Sequence, residues 1–223
     1  PSSGACPRCR RFPTVNEAGA RDARHARQHT QHDEAVHVGL AAWEGSHQVA
    51  GRLFHARADR SELDVQRTAD GQIVVIHDET INRTSNGFGK VVDHTLEELR
   101  ACDFNNGFAG RRNVKIPTLR EVLELCQSSN VTVNVELKNT IELYPGMEDD
   151  VLRIVQDARM TDRVIYSSFN HFSLANLRGR VAPEHIGLLL SDGIHDPWRY
   201  ASWFGAGAVH PHQQALLQPH YVW

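Results

Sequence analysis

The chain has 223 residues, with 24 Lys and Arg against 27 Asp and Glu, a formal net charge of -3, and 40% hydrophobic residues beside 23% charged ones. That balance describes a soluble globular domain with one sizeable core, and it excludes a collagen-like repeat, a disordered tail and a disulfide-dense miniprotein. No apolar run approaches the roughly 20 residues of a membrane span, and the near-neutral charge offers no electrostatic footprint for nucleic acid.

In chain order, the first sixty residues differ from the rest. Large apolar residues number 9 in positions 1–60 and 17 in positions 61–120. The tract Ala23-Arg24-His25-Ala26-Arg27-Gln28-His29 has neither helical nor strand periodicity. Cys6 and Cys9 form a lone pair without the second pair that a zinc site needs. Cys102 and Cys126 read as free thiols, and the opening residues lack the apolar stretch of a secretion signal, so a reducing, cytoplasmic setting is expected. Residues 1–60 are therefore an unassignable segment, and 61–223 a second region. The abrupt change near Glu62 is what a reading-frame or sequence-assignment error upstream would produce.

From Glu62 onward short apolar strands alternate with amphipathic helices. Strands are expected at 62–66, 72–77, 131–138, 164–169, 185–190 and 207–211. Thr95 with Glu98, and Thr118 with Glu121, have capping-box spacing at two helix starts. Leu119, Val122, Leu123 and Cys126 form one buried stripe, as do Val151, Ile154, Val155 and Ala158. Further helices are expected over 172–178 and 197–204. Such alternation implies parallel strands with crossover helices. The turn-rich stretch at about 80–115 interrupts it and reads as an insertion.

Glu62 and Asp64 fall on one face of their strand, Leu63 and Val65 on the other. Two carboxylates so placed repel each other unless a cation lies between them, although an exposed strand face would look the same. Asn134, Glu136 and Lys138 share one face of an otherwise apolar strand. In a closed parallel barrel such groups converge at the strand C-terminal ends, where Glu136 can join Glu62 and Asp64 and Lys138 can meet a phosphate. An internal Glu–Lys pair is the structural alternative. His77 ends the run Ile73–Ile76 and can move a proton near neutral pH. A divalent cation, a fixed ammonium and an imidazole together fit phosphodiester cleavage.

These segments, with Asp70-Gly71, Asp78 to Gly89, Ile116-Pro117-Thr118-Leu119, Ser167-Ser168-Phe169-Asn170 and Ala208-Val209-His210-Pro211, resemble in order and spacing the glycerophosphodiester phosphodiesterase family over about residues 61–222. The resemblance implies an α/β fold, a TIM (β/α)8 barrel with a small insertion after the second strand. It implies hydrolysis of a small-molecule glycerophosphodiester to an alcohol and glycerol 3-phosphate, through attack by the glycerol 2-hydroxyl and a cyclic phosphate. Carried over by position, Glu62, Asp64 and Glu136 look like ligands of Mg²⁺ or Ca²⁺, His77 like a catalytic histidine and Lys138 like a phosphate contact. The family's first strand carries His-Arg-Gly. The nearest fragment here is His37-Val38-Gly39, without the arginine, and after Trp223 the family continues through two more strand units. The barrel is thus expected to be incomplete as written, with open edges that favour a homo-oligomer. A catalytically dead barrel that binds phosphodiesters or a protein partner, and a sphingomyelinase-D-like phospholipase, are the competing readings.

Overall fold

The computed structural model describes residues 36–37, 60–107, 110–218 and 221. Cys6, Cys9 and the histidine-rich tract lie outside them. Among the described residues seven strands form one sheet: β1 (Val36–His37), β2 (Arg60–Arg67), β3 (Ile73–Val75), β4 (Thr132–Leu137), β5 (Val164–Ser168), β6 (Ile186–Leu190) and β7 (Ala208–Pro211). Their order is β1-β2-β4-β5-β6-β7, with every neighbouring pair parallel. Five α-helices are described: α1 (Leu96–Ala101), α2 (Leu119–Cys126), α3 (Met147–Asp157), α4 (His171–Leu177) and α5 (Pro197–Phe204). This is the strand–helix alternation of a (β/α) barrel, and among the described residues β1 and β7 do not pair to close it.

One strand corrects the sequence reading. The run 72–77 was expected to join the parallel set, but β3 lies off the main path and returns antiparallel on β2, with Val65 opposite Val75 and Arg67 opposite Ile73. Only five residues separate the two strands, far too few for the dozen or more that a parallel crossover needs. The reversal is made at Thr68–Gln72. Thr68 N–H donates to the Gln72 carbonyl at 2.9 Å, and Gly71 takes the left-handed conformation at φ 79°.

The two capping boxes are both formed. Thr95 Oγ accepts from Glu98 N–H, and Glu98 Oε2 accepts from Thr95 N–H at 2.8 Å. Thr118 and Glu121 repeat the exchange. Each box satisfies two helix-end donors that would otherwise lack partners. The main core lies between sheet and helices. Leu63, Val65, Val133, Val135 and Leu137 face α2 and α3, whose Leu119, Leu123, Val151 and Val155 are fully buried. At about 1.5–3 kcal/mol for each large apolar side chain, this layer dominates stability. A second, smaller cluster, Val74, Ile76, Ile81, Val91, Leu99, Phe104 and Ile116, organises residues 77–117. None of the described helices is long and apolar enough to cross a membrane.

Candidate active site

The pleat of β2 sends Leu63 and Val65 into the core and leaves Glu62, Asp64 and Gln66 on the opposite side. Register with β4 then sets Glu62 beside Asn134 and Asp64 beside Glu136. Lys138 follows at the end of β4, its N–H donating to the Val65 carbonyl at 3.1 Å. Its Nζ stands 3.1 Å from Glu136 Oε1, 3.9 Å from Asp64 Oδ1 and 3.4 Å from His77 Nε2. Two carboxylates, an ammonium and an imidazole therefore meet at the C-terminal ends of β2 and β4. Burial pushes the Glu136 carboxyl up; Lys138 opposes that shift and the neighbouring Asp64 charge reinforces it.

His77 is held from three directions. Its Nδ1 lies 2.7 Å from Asp78 Oδ1. Asp78 in turn accepts from Arg83 Nε at 2.6 Å and Nη2 at 2.9 Å, and these bonds hold its carboxyl down at about 2, against the opposing effect of burial. With an ionised acceptor at Nδ1, the neutral ring carries its proton there and presents Nε2 to Lys138. The third hold is on the backbone. Gln66, fully buried, donates from Nε2 to the His77 carbonyl at 3.1 Å and accepts from the Tyr144 hydroxyl at 2.9 Å. Tyr144 takes the left-handed conformation (φ 46°). Burial pushes its phenol up to about 12, so it stays a donor.

Glu62 accepts from Asn134 Nδ2 at 3.3 Å, while Asn134 Oδ1 is buried with no hydrogen-bond partner. The backbone of His37 lies in register with Glu62; its side chain is outside the described residues. His210, on β7, is a functional candidate that sequence reasoning passed over. Burial pushes its imidazole down, Arg60 adds to that shift, and the charges of Glu62 and Glu136 oppose it. Gly187 on β6 makes room: a Cβ there would stand 3.0 Å from the ring. Beyond β6 and β7 a cavity of about 620 Å³ opens, bordered by Asp192, Asp196, Trp198, His212 and Tyr221.

The five residues singled out in the sequence thus fall into one neighbourhood, with Asp64, Glu136, Lys138 and His77 linked by short contacts and Glu62 two register pairs before Asp64 on the same strand. Among the described residues no three carboxylates, imidazoles or thiols are close enough to chelate one ion, and the Lys138 ammonium lies between Asp64 and Glu136. The donor chemistry nonetheless suits a hard cation, with three carboxylates and an orphaned amide oxygen against a single ammonium.

A family model described as "Glycerophosphoryl diester phosphodiesterase family" matches residues 54–219, and the chain belongs to that family. It is 45% identical over 164 residues to a glycerophosphodiester phosphodiesterase of Caldanaerobacter subterraneus, covering 72% of this chain and 66% of that one. It is 44% identical over 160 residues to a glycerophosphodiester phosphodiesterase of Bacillus altitudinis, covering 71% and 65%. The chain thus spans about two thirds of the length of these relatives. Among solved structures, an Oleispira antarctica phosphodiesterase in complex with the product sn-glycerol-3-phosphate superimposes with a TM-score of 0.68 at 23% identity, covering 81% of this chain and 74% of that one. The fold is accordingly the family's TIM barrel, present among the described residues as a mostly parallel, unclosed sheet with its helices.

Proposed function

We propose that this chain is a phosphodiesterase that cleaves glycerophosphodiesters to an alcohol and glycerol 3-phosphate. The observation that carries the reading is the position of Lys138 Nζ, in contact with Glu136, Asp64 and His77 at once. A fixed ammonium at the strand ends offers a non-bridging phosphate oxygen a charged hydrogen bond. His77 Nε2 is the proton-transfer atom beside it. When protonated, it gives its proton to the oxygen of the departing alcohol as the bond from phosphorus to that oxygen breaks. Asp78 keeps the ring in one tautomer and stabilises the imidazolium. Gln66 and Tyr144 hold the backbone that carries the ring. The incoming group is the glycerol 2-hydroxyl, which passes its proton to water as its oxygen bonds to phosphorus; a water then opens the resulting cyclic phosphate, its hydroxyl going to phosphorus and its proton to the 2-oxygen.

Glu62, Asp64 and Glu136 are the residues that would hold a divalent cation, Mg²⁺ or Ca²⁺, with Asn134 Oδ1 as a further oxygen. Such an ion supplies neutralisation of the phosphate's non-bridging oxygens. With the ion bound, Lys138 would serve the phosphate and the carboxylates the cation.

The test is release of glycerol 3-phosphate from glycerophosphocholine, measured with and without chelator and in His77→Ala. Both treatments are expected to abolish turnover. Activity unchanged by either rejects the reading. Metal binding without turnover supports a catalytically dead barrel instead.

A further inference from the structure

Among the described residues two carboxamide side chains are fully buried, Gln66 and Asn139. Gln66 holds the backbone of His77. Asn139 is the residue after Lys138. A buried carboxamide gives up its hydrogen bonds to water, so its polar atoms need partners in the protein. Those of Asn139 have them. Nδ2 donates to Ser173 Oγ at 2.7 Å, and Oδ1 lies 3.1 Å from Ser168 Oγ. The Asn139 carbonyl accepts from Asn170 Nδ2 at 2.9 Å, and its N–H donates to the Leu137 carbonyl at 3.0 Å. That last bond closes a three-residue turn with Lys138 at its centre. Ser168, fully buried, also presents its Oγ 2.8 Å from the Leu137 carbonyl, and that Oγ accepts from the Asn170 N–H at 3.0 Å. Towards β2, the Lys138 N–H donates to the Val65 carbonyl. The residues on either side of Lys138 are therefore both tied down, by groups that belong to β5 and to the start of α4.

We infer that Asn139 is a positioning residue for Lys138. With Ser168, Ser173 and Asn170 it sets the backbone direction from which the Lys138 ammonium reaches Glu136, Asp64 and the phosphate. The part concerning phosphate rests on the phosphodiesterase reading above; the hold on the Lys138 backbone does not. A lysine side chain is long and flexible, and the rotamers open to it depend on its backbone angles. Fixing the backbone on both sides of Lys138 narrows that choice and keeps Nζ at 3.1 Å from Glu136. Capping of α4 does not account for the network. The cap needs only Asn170, whose Oδ1 accepts from the Ser173 N–H at 3.4 Å. The bonds from Ser168 and Ser173 go instead to Leu137 and Asn139, the two neighbours of Lys138. A fully connected buried network of this kind is rigid, because each lost bond strands a polar group away from water. Lys138 is thereby braced in the same manner as His77, each by a buried amide whose partners come from another part of the chain.

The test is a double-mutant cycle on the full chain. Asn139→Leu removes the donor and the acceptor at similar side-chain size. It is made in the parent and in Lys138→Met, which keeps a long stem and removes the charge. Turnover of glycerophosphocholine is expected to fall at least about tenfold on Asn139→Leu in the parent, but less than about twofold in Lys138→Met, where no ammonium is left to place. An equal fall in both backgrounds overturns the proposal in favour of a purely structural network. Ser168→Ala, a milder change, takes the place of Asn139→Leu if that variant does not fold, with the same pattern expected. Position is also read without turnover. Lys90, Lys115 and Lys138 are the three lysines of the chain, so lysine labelled with ¹³C at Cε gives three magnetic-resonance signals, and Lys138→Met assigns one of them. The ε protons of Lys138 should be inequivalent in the parent and equivalent in Asn139→Leu, as in a freely rotating side chain. A Lys138 signal unchanged in the variant overturns the proposal whatever turnover does. If Lys138→Met abolishes turnover outright, this signal decides alone. A parent that cleaves no diester, with the signal changing as expected, leaves the hold on Lys138 standing and overturns the phosphodiesterase reading.

Discussion

The acids of the candidate site and its imidazole are positioned by different means. Glu62, Asp64 and Glu136 ride on β2 and β4, whose other faces hold Leu63, Val65, Val133 and Val135 in the main core. Their spacing is set by backbone register, which cannot slip without turning the apolar side chains out of the core. His77 lies just past β3, with a side chain 61% exposed, at the head of a segment that has its own small core. Its position rests on three side-chain links, to Asp78, Lys138 and Gln66. The charge-bearing half of the site therefore shares the stability of the sheet. The proton-transfer half can be disturbed while the sheet remains intact.

The largest test of that difference is His77→Ala. General acid–base groups contribute about 10²- to 10⁴-fold, and turnover of glycerophosphocholine should fall by that factor. Because the ring is exposed, the unfolding free energy should stay within about 0.5 kcal/mol. A large drop in melting temperature would show that His77 is structural.

A pair of core substitutions sharpens the contrast. Leu123 packs in the main core and Leu99 in the small one, and both are fully buried. Each change to Ala should cost about 2–5 kcal/mol. Leu123→Ala should lower the global melt. Leu99→Ala should instead open residues 77–117 locally, so that activity is lost on heating before the far-ultraviolet signal changes. Hydrogen exchange is the direct check. Equal protection losses across sheet and segment would mean that the two cores unfold as one.

These two regions were also unequally legible. Period-two alternation in Glu62–Val65 and Asn134–Lys138 carries the face assignment, since a strand fixes side-chain direction from local sequence alone. Thr95–Glu98 and Thr118–Glu121 are likewise local signals. The direction of β3 is harder, because the four apolar residues Ile73–Ile76 read alike in either orientation. The deciding feature is the short Asp70-Gly71 turn before them. The bond from Tyr144 to Gln66 spans 78 positions, and no local pattern announces it. His210 lies in a segment that carries the family resemblance, but its packing is equally silent: it depends on the missing side chain of Gly187, on a strand that meets β7 only after folding.

Tyr144→Phe probes the link to the His77 backbone. It leaves the Gln66 amide oxygen buried without its donor, at a cost of about 1–3 kcal/mol. If the chain from Tyr144 through Gln66 positions His77, kcat should fall about tenfold with KM nearly unchanged, since a small misplacement of a proton-transfer group costs rate before binding. A stability loss with an unchanged kcat would make the link purely structural.

The smallest effect is the pH dependence contributed by Asp78. Its carboxyl is lowered from an ordinary value of 3.8 to about 2, mainly by the hydrogen bonds from Arg83. A carboxyl depressed in the folded state binds fewer protons there than in the unfolded chain, so stability rises with pH across the interval between the two values. The contribution is fully present above the unfolded value and is lost as pH falls through about 2. Its size is discounted because the Asp78 side chain is 25% exposed and Arg83 60%, so solvent screens the pair. Asp78→Asn should therefore flatten the decline of melting temperature between about pH 4 and pH 2 by a small margin, with little change at pH 7 beyond the loss of the ion pair. An Asn variant with the same acid slope as the parent would mean that the fork to Arg83 is not maintained in solution. His77 would then be braced by an Asp78 that Arg83 does not fix in place.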